Sequence, residues 1–339
     1  MIPLQLIREN PEHVIERLSV KNFDARETVE RICQLDDTRK AAQRRLDDSL
    51  AEANNLAREI GNLFKAGKTA EANELKLRTT SLKEDAKRYG EEFEAATEEL
   101  NRTIVLLPNM PHASVARGKT PEDNEIVHTE GAMPQLAADA VPHWDLVARY
   151  DIISFELGNK VTGAGFPFYK GKGARLQRAL INFFLDEAIK AGFTEYQPPL
   201  MVNEASAFAT GQLPDKEGQM YHAVADNLYL IPTAEVPVTN LYREMILKQS
   251  ELPIQLVAYS NCFRREAGSY GKDVRGLNRL HQFDKVEIVE IADPENSYEI
   301  LDKMVAHVSG LLRSLELPFR VLRLCGGEMS FTSALTYDF

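Results

Sequence analysis

The sequence lacks long apolar runs, an N-terminal signal and closely spaced cysteines. No stretch of the 339 residues approaches about 18 consecutive apolar residues, so we expect no membrane-spanning helix. The N-terminus has no basic segment followed by an apolar one, so we expect no secretory signal. The three cysteines, Cys33, Cys262 and Cys325, are far apart and form no metal-type pair. We therefore expect free thiols, no protein-bound metal and a reducing, cytoplasmic location.

The sequence also lacks two familiar nucleotide-binding signatures and an excess of positive charge. There is no G-x-G-x-x-G after a strand-like segment and no G-x-x-x-x-G-K-[ST], so neither nucleotide-binding α/β fold is indicated. The formal net charge of −11 argues against indiscriminate binding of nucleic acid, although a local basic patch can still bind RNA. The 44% hydrophobic content and the length of 339 residues predict a globular protein with two domains.

A heptad pattern dominates the first third of the chain. Core positions recur at steps of three and four from Ile32 to Leu63 and again from Ala72 to Leu107. The turn at residues 66–68 separates the two runs, and Pro108 ends the second. This pattern predicts an antiparallel coiled-coil hairpin over about residues 26–107, within an N-terminal domain of residues 1–107.

The distal half of this hairpin is basic. Between Asn55 and Gly90 there are eight Lys or Arg residues and five acidic ones, in a protein that is acidic as a whole. Such rods more commonly serve as dimerisation or spacer elements, but a basic tip also fits an arm that contacts the nucleic-acid backbone. The candidate contacts are Arg58, Lys65, Lys68, Lys76, Arg78 and Lys83.

The remaining chain predicts a proline-containing linker at 108–150 and a second domain at 151–339. Lys172 to Ala191 is expected to form a helix that buries residues including Leu176, and a further helix is expected after Pro237. Helices alternate with short strand-like segments. We therefore expect an α+β domain built on a largely antiparallel sheet flanked by helices. After Pro237, we expect three apolar side chains to point inward, namely Leu241, Met245 and Ile246.

The most informative segment contains two strand-like runs, Val257–Phe263 and Phe283–Ile291, on either side of a long loop. Long loops in compact domains are usually functional or disordered. A loop rich in glycine and cationic residues can surround a polyphosphate; its members include Gly268, Gly271, Lys272, Asp273, Arg275, Gly276 and His281. Glu287 shares a strand face with apolar residues, where a carboxylate is costly unless a cation meets it. From these residues alone, an exposed strand or an internal salt bridge is as good an interpretation as a substrate site.

A family resemblance favours the substrate-site interpretation. Phe263, Arg264 and Glu266, the glycine-containing loop, and then Arg279, Phe283 and Glu287 resemble motif 2 of class II aminoacyl-tRNA synthetases. The segment FRREAGSYGKDVRGLNRLHQFDKVEIV is similar to seryl-tRNA synthetases in particular, and so is TAEVP at 233–237. The resemblance implies an N-terminal helical arm for the long variable arm of tRNA and a class II catalytic domain. It also implies a homodimer through the motif 1 region, the helix and strand around residues 172–197.

The resemblance further implies a reaction and its site residues. The reaction would be the ATP-dependent activation of L-serine to seryl-adenylate, followed by transfer to tRNA(Ser) and also tRNA(Sec), with Mg²⁺ accompanying ATP. Arg264 would contact the α-phosphate and the serine carboxylate, Glu266 the adenine edge and Arg279 the distal phosphates. Arg265 belongs to the same ATP-binding set, and Phe283 would stack on adenine, although without the resemblance a core residue is the favoured interpretation of Phe283. The expected serine-binding residues are Thr233, Ala234, Glu235, Arg264 and Glu287, and which glutamate holds the ammonium stays open.

Two other functions compete with this interpretation. One is a tRNA-binding paralogue that has lost catalysis, and the other is a synthetase-like carrier-protein ligase, which the long arm disfavours. We also expect, by resemblance, that family members continue beyond the position of Phe339 with the motif 3 arginine. On that expectation the catalytic domain is incomplete here, and this chain alone would have little serine activation.

Overall fold

The computed structural model describes residues 2–215, 217–267 and 275–339. The chain divides into two compact units. The first contains Met1–His128 and Val321–Phe339, and the second contains Thr129–Arg320. The helices are α1 (Leu4–Glu9), α2 (Pro11–Ser19), α3 (Arg26–Lys65), α4 (Thr69–Ile104), α5 (His143–Arg149), α6 (Phe155–Val161), α7 (Lys172–Lys190), α8 (Glu204–Ala209), α9 (Glu235–Thr239) and α10 (Ser297–Ser314). The strands are β1 (Glu125–Glu130), β2 (Ile153–Ser154), β3 (Phe168–Tyr169), β4 (Thr194–Tyr196), β5 (Met201–Asn203), β6 (His222–Ala223), β7 (Leu228–Leu230), β8 (Ile254–Phe263), β9 (Gln282–Ile291), β10 (Phe319–Arg323) and β11 (Tyr337–Asp338).

The predicted helical hairpin is confirmed as α3 and α4. Arg31 of α3 pairs with Glu99 of α4, and Glu52 pairs with Arg78, so the two helices run antiparallel along their length. The buried positions of α3 follow the heptad pattern and include Ile32, Ala42, Ser49, Ala53 and Leu56. Small residues at several of these positions allow the two helices to approach closely. The hairpin is therefore specified by a heptad pattern within residues 26–107 themselves.

The base of the hairpin packs against the first two helices. This core contains buried residues of α1, α2, α3 and α4, namely Ile7, Val14, Leu18, Val29, Ile32, Leu35, Leu100 and Ile104. Asp36 lies beside it and is fully buried, with Arg8, Arg39 and Lys40 around its carboxylate. A buried carboxylate needs such partners, because removing it from water without them is costly.

Residues 321–339 complete the first unit. Strands β10 and β11 pair antiparallel, with Arg323 opposite Tyr337. The Lys21 ammonium donates to the carbonyl oxygens of Ser330 and Ser333, each at 2.7 Å. These contacts hold the segment against residues near the N-terminus. The domain boundaries predicted from sequence stay a prediction.

The second unit is built around two three-stranded sheets. In one, β8 lies between β4, which runs parallel to it, and β9, which runs antiparallel. In the other, β7 lies between β5 and β6, both antiparallel to it. Ala188 of α7 packs with Phe193 and Val257 on one side of β8, and Val238 of α9 packs with Leu256 and Ala258 on the other. The α+β class and the largely antiparallel sheet are therefore confirmed.

Two packing predictions are wrong. Leu241, Met245 and Ile246 are exposed, because α9 ends at Thr239 and only a single 3₁₀ turn, Asn240–Tyr242, follows it, so no longer helix forms the buried face that was expected. Leu176 is also exposed on α7, although Ala188 on the same helix is buried as expected.

Within the described part of the chain, no helix has the length and apolar character needed to cross a bilayer.

Candidate active site

Strands β8 and β9 form the floor of the site. Their register places Glu287 opposite Ala258, Lys285 opposite Ser260 and Phe283 opposite Cys262. Because strand side chains alternate between faces, Phe283, Lys285 and Glu287 point to one side of the sheet. The α9 segment packs on that same side, since Ala234 and Val238 contact Leu256 and Ala258 of β8. The sheet therefore brings residues 233–235 and the motif 2 strand together.

A connected cluster is formed by Thr233, Lys285 and Glu287. These three residues and the neighbouring Glu235 are together called the acceptor cluster. The Thr233 hydroxyl donates to Glu287 Oε2 at 2.5 Å. The Lys285 ammonium donates to Thr233 Oγ1 at 3.0 Å and lies 2.5 Å from Glu287 Oε2. The backbone N–H of Glu235 also donates to Thr233 Oγ1, at 3.3 Å. Three of the five residues predicted to bind serine are thus neighbours, namely Thr233, Glu235 and Glu287.

Lys285 is the residue of this cluster that sequence analysis missed. The cation that Glu287 requires lies two residues before it on the same strand face, so the spacing alone carried the signal. The internal ion pair considered from the sequence is present, and the Glu287 side chain is only 17% exposed. The interpretation of Glu287 as a residue on a solvated strand is therefore wrong.

Glu235 lies beside a second carboxylate. The residue is exposed, but partial desolvation of its carboxyl group by the surrounding protein raises its pKa. The charge of Glu287 raises the pKa of Glu235 further, whereas Lys285 and Arg264 lower it. Two carboxylates at one site favour a bound cation, because a positive charge between them relieves their repulsion.

Arg264 and Phe283 lie next to this cluster. The Arg264 guanidinium is 5.2 Å from the centroid of the Phe283 ring, within the range of a cation–π contact. The Arg264 backbone N–H donates to His281 O at 3.0 Å, and that of Arg265 to Gln219 O at 2.9 Å. Phe283 is half-buried, and the Arg264 guanidinium lies over its ring. The ring face therefore contacts a cation and not only apolar side chains.

The two ends of the motif 2 loop are tied to each other. Arg279 Nη1 lies 2.9 Å from Glu266 Oε2, and Glu266 adopts a left-handed backbone with φ of 48°. Residues 268–274, which include the predicted Gly268, Gly271, Lys272 and Asp273, lie outside the described residues. The structure thus brings Glu266 and Arg279 together as a pair.

Helix α5 anchors the second end of this loop. The backbone N–H of Leu277 donates to His143 Nε2 at 2.8 Å. Gly276 has φ of 65°, and a Cβ there would lie 2.1 Å from His143 Nε2, so only glycine fits. His281, which immediately precedes β9, contacts the Tyr221 hydroxyl through Nδ1 at 2.7 Å and stacks on Phe166.

The six basic residues predicted for the arm all lie exposed on α3, α4 or the turn between them. Lys68 pairs with Glu71, and the Lys76 ammonium lies 4.9 Å from the centroid of the Phe64 ring. Arg78 pairs with Glu52. Among the described residues, no ion pair involves Arg58, Lys65 or Lys83, so these three charges are available to a partner.

Comparison with known proteins gives the family. Residues 1–111 match the family model described as the seryl-tRNA synthetase N-terminal domain, and residues 220–339 match the class II tRNA synthetase core domain (G, H, P, S and T). A serine–tRNA ligase of Salinibacter ruber is 48% identical across 100% of this chain and 79% of the relative. The chain belongs to the serine–tRNA ligase family. A serine–tRNA ligase of Carboxydothermus hydrogenoformans is 42% identical over the same shares of the two chains.

Solved structures of this family share its architecture. A seryl-tRNA synthetase of Pyrococcus horikoshii, complexed with ATP, superposes with a TM-score of 0.93 at 31% identity, over 100% of this chain and 80% of that one. A cytoplasmic serine–tRNA ligase of Naegleria fowleri, in complex with AMP, gives 0.88 at 25% identity, over 100% of this chain and 81% of that one. The helical arm and the sheet-based core are thus those of seryl-tRNA synthetases. Within residues 2–215, 217–267 and 275–339, no group of three or more His, Cys, Asp or Glu is placed to hold a metal ion.

Proposed function

We propose that this family member is a serine–tRNA ligase. It would activate L-serine with ATP to give seryl-adenylate and pyrophosphate, and then transfer the seryl group to tRNA(Ser) and tRNA(Sec). The acceptor cluster carries this proposal, because two carboxylates and a hydroxyl lie on one sheet face beside Arg264. Such a set suits a small amino acid that brings an ammonium, a hydroxyl and a carboxylate.

The serine site would use Thr233, Ala234, Glu235, Arg264 and Glu287. Thr233 and Ala234 are buried, so a serine held against them would lie close to packed side chains. A site whose polar groups require a hydroxyl rejects alanine and glycine, since their binding leaves buried polar groups unpaired. Threonine would be excluded by size. This division of roles rests on the family resemblance and on the proximity of these residues.

The ATP site would use Arg264, Arg265, Glu266, Arg279 and Phe283. Activation requires the serine carboxylate to attack the α-phosphorus, so two anions must be held in line and their repulsion reduced. Arg264 suits this task, because a planar guanidinium can bridge two oxyanions with fixed geometry. Mg²⁺ would arrive with ATP, with phosphate oxygens and water among its ligands.

Adenine binding would open the pair between Glu266 and Arg279. Glu266 is assigned to the adenine edge and Arg279 to the distal phosphates, yet their side chains contact each other at 2.9 Å. Arg279 is half-exposed in this pair but the Glu266 side chain is only 14% exposed, so a bound adenine would have to replace the hydrogen bond that Glu266 loses. The pair would keep both side chains close to their binding positions until ATP separates them.

The partners follow from the rest of the chain. The exposed cations Arg58, Lys65 and Lys83 support tRNA binding by the arm. The region around α7 and β4 would form a homodimer, as the motif 1 resemblance implies. We place the enzyme in the cytoplasm, in line with its role in protein synthesis.

Serine-dependent ATP–pyrophosphate exchange tests the activation step directly. The full-length protein should incorporate labelled pyrophosphate into ATP with serine, and far less with alanine, glycine or threonine. Acylation of tRNA(Ser) should then require the arm. A protein that binds tRNA(Ser) without serine-dependent exchange would instead be a binding paralogue, and this proposal would be wrong.

A further inference from the structure

Lys285 is a charged residue at the centre of the site that the proposed roles do not use. Its side chain is 35% exposed, and its ammonium touches two of the groups assigned to serine. A lysine that only balanced the charge of Glu287 would need one contact. This one also reaches the hydroxyl of Thr233, which is 4% exposed.

The hydrogen bonds around Thr233 fix the direction of its proton. Thr233 Oγ1 accepts from Lys285 Nζ and from the Glu235 backbone N–H, so both of its lone pairs are occupied. Its own proton then points to Glu287 Oε2. Among the described residues, the partners of the Glu287 carboxylate all meet Oε2, which leaves Oε1 to accept from an incoming donor.

The charges that face Lys285 come from several elements. Glu235 lies on α9, Glu287 lies two residues away on β9, and Arg264 follows the end of β8. The Cys262 thiol of β8 is also close, and its pKa is raised by burial but lowered by Lys285 and Arg264. Without Lys285, Arg264 would be the remaining cation that offsets the charge of the two carboxylates, and its guanidinium also contacts the Phe283 ring.

We propose that Lys285 is a positioning residue for the amino-acid substrate. It orients Thr233 and Glu287 and balances the two carboxylates, so that Glu235 and Glu287 together accept the substrate α-ammonium. This inference rests on the proposed function, because it assigns the amine subsite of the same reaction. Lys285 itself need not contact serine.

Loss of the lysine charge should act on serine and not on ATP. Lys285→Met removes both hydrogen bonds and leaves the carboxylates unbalanced, so the pKa of Glu235 should rise further. A protonated Glu235 is a poor ammonium acceptor, and the defect should therefore be larger at low pH. We expect the apparent KM for serine to rise about tenfold or more near pH 6.5, and by less near pH 8.5, where Glu235 is more fully ionised. The KM for ATP should stay within about twofold.

Three variants in the full-length protein separate this role from a purely structural one. Lys285→Arg keeps the charge and should retain most of the serine affinity at both pH values. Lys285→Gln keeps a donor without charge and should show the same pH-dependent defect as Lys285→Met, which guards against misfolding of the methionine variant. Lys303→Met removes a lysine of similar length from an exposed α10 ion pair with Glu299 and should change neither KM.

The outcomes distinguish this inference from the proposed function. If the wild-type protein shows no serine-dependent exchange, the proposed function fails first. If the wild type is active and the methionine and glutamine variants keep its serine KM and pH profile, Lys285 has no positioning role. Tighter serine binding in these variants would also contradict the inference, because Lys285 would then be a competitor of the ammonium.

Discussion

Arg264 occupies a position from which one side chain could serve both substrates. Its guanidinium covers Phe283, and its charge lowers the pKa of Glu235 in the acceptor cluster. Arg264→Lys keeps the positive charge but removes the planar pair of donors. We expect the rate of pyrophosphate exchange to fall on the order of 100-fold or more, as when a transition-state donor is removed.

A conservative change elsewhere serves as the control for this prediction. Arg320→Lys alters an exposed arginine of β10 and should leave the exchange rate within about twofold. Near-normal exchange by Arg264→Lys would show that another cation of the loop holds the α-phosphate.

The residues of the site differ in how far sequence alone could identify them. Thr233, Glu235, Arg264 and Glu287 stand in motifs that have a family resemblance, and the structure brings them together. Lys285 was missed, because a lysine in a strand is usually a solvated residue, although its spacing of two residues from Glu287 already placed both side chains on one strand face. The pairing of Glu266 with Arg279 also escaped prediction, since a contact across a long loop leaves no periodic signal.

At the level of secondary-structure elements, the base of the arm depends on the buried Asp36. Arg39 and Lys40 each lie 2.7 Å from its carboxylate oxygens, and Arg8 lies 3.2 Å away. Burial raises the pKa of Asp36, but hydrogen bonds from Lys40 and Arg39 outweigh this and lower the pKa below its ordinary value. The carboxylate therefore stabilises the fold at pH values above its unfolded pKa of about 4, and this stabilisation is lost as pH falls through the lower folded value.

Asp36→Asn should accordingly destabilise the N-terminal unit. Removing one partner of a buried ion pair costs about 3–5 kcal/mol, and because these cations are partly exposed we expect about 2–3 kcal/mol. Urea denaturation at pH 7 measures this, and the difference from wild type should shrink as the pH approaches 3. Asp37→Asn is the matched control, since Asp37 is exposed and its pair with Arg8 is worth about 0–1 kcal/mol. Equal stability of the two variants would mean that Asp36 is dispensable.

The distal arm supplies a second prediction at this level. Glu52 and Arg78 already pair across α3 and α4, so a short glycine turn could replace residues 53–77 while this contact is kept. The shortened protein loses Arg58, Lys65, Lys68 and Lys76. We expect weaker tRNA binding with a shallower salt dependence, because each lost phosphate contact lowers the slope by about one. Serine activation without tRNA should persist, and its loss in a folded protein would contradict this division of labour.

Sequence predicted the arm far better than the packing of the second unit. Residues 26–107 were expected to form the hairpin, and α3 and α4 together span Arg26 to Ile104, because a heptad pattern is a local signal repeated many times. The strands β8 and β9 extend beyond the predicted runs by only a few residues. In contrast, the exposure of Leu241 and Ile246 depends on where the short helix α9 ends, which no periodicity specifies.

At the level of the whole molecule, long-range contacts determine the grouping of segments into compact units, which the sequence could not predict. Residues 321–339 belong to the same compact unit as the N-terminus, and the Lys21 ammonium donates to three of their carbonyl oxygens. Burial lowers the pKa of Lys21 to about 8, whereas these carbonyls favour its charged form. A contact across three hundred residues of chain has no sequence signature, so a division of the chain by composition could not include it.

The last prediction concerns the oligomeric state. Large apolar side chains are exposed along α7, β4 and the segment after them, namely Leu176, Ile189, Tyr196 and Leu200. Exposed large apolar side chains can mark protein interfaces, and the motif 1 resemblance assigns the same region to a homodimer. We expect the full-length protein to sediment as a dimer at micromolar concentration. Leu176→Glu combined with Leu200→Glu should convert it to a monomer with reduced activity, because two buried charges would oppose association. Leu77→Glu, which alters an apolar residue 74% exposed on the arm, should leave the dimer intact. A fully active monomeric wild type would overturn the assignment of this surface to a second copy of the chain.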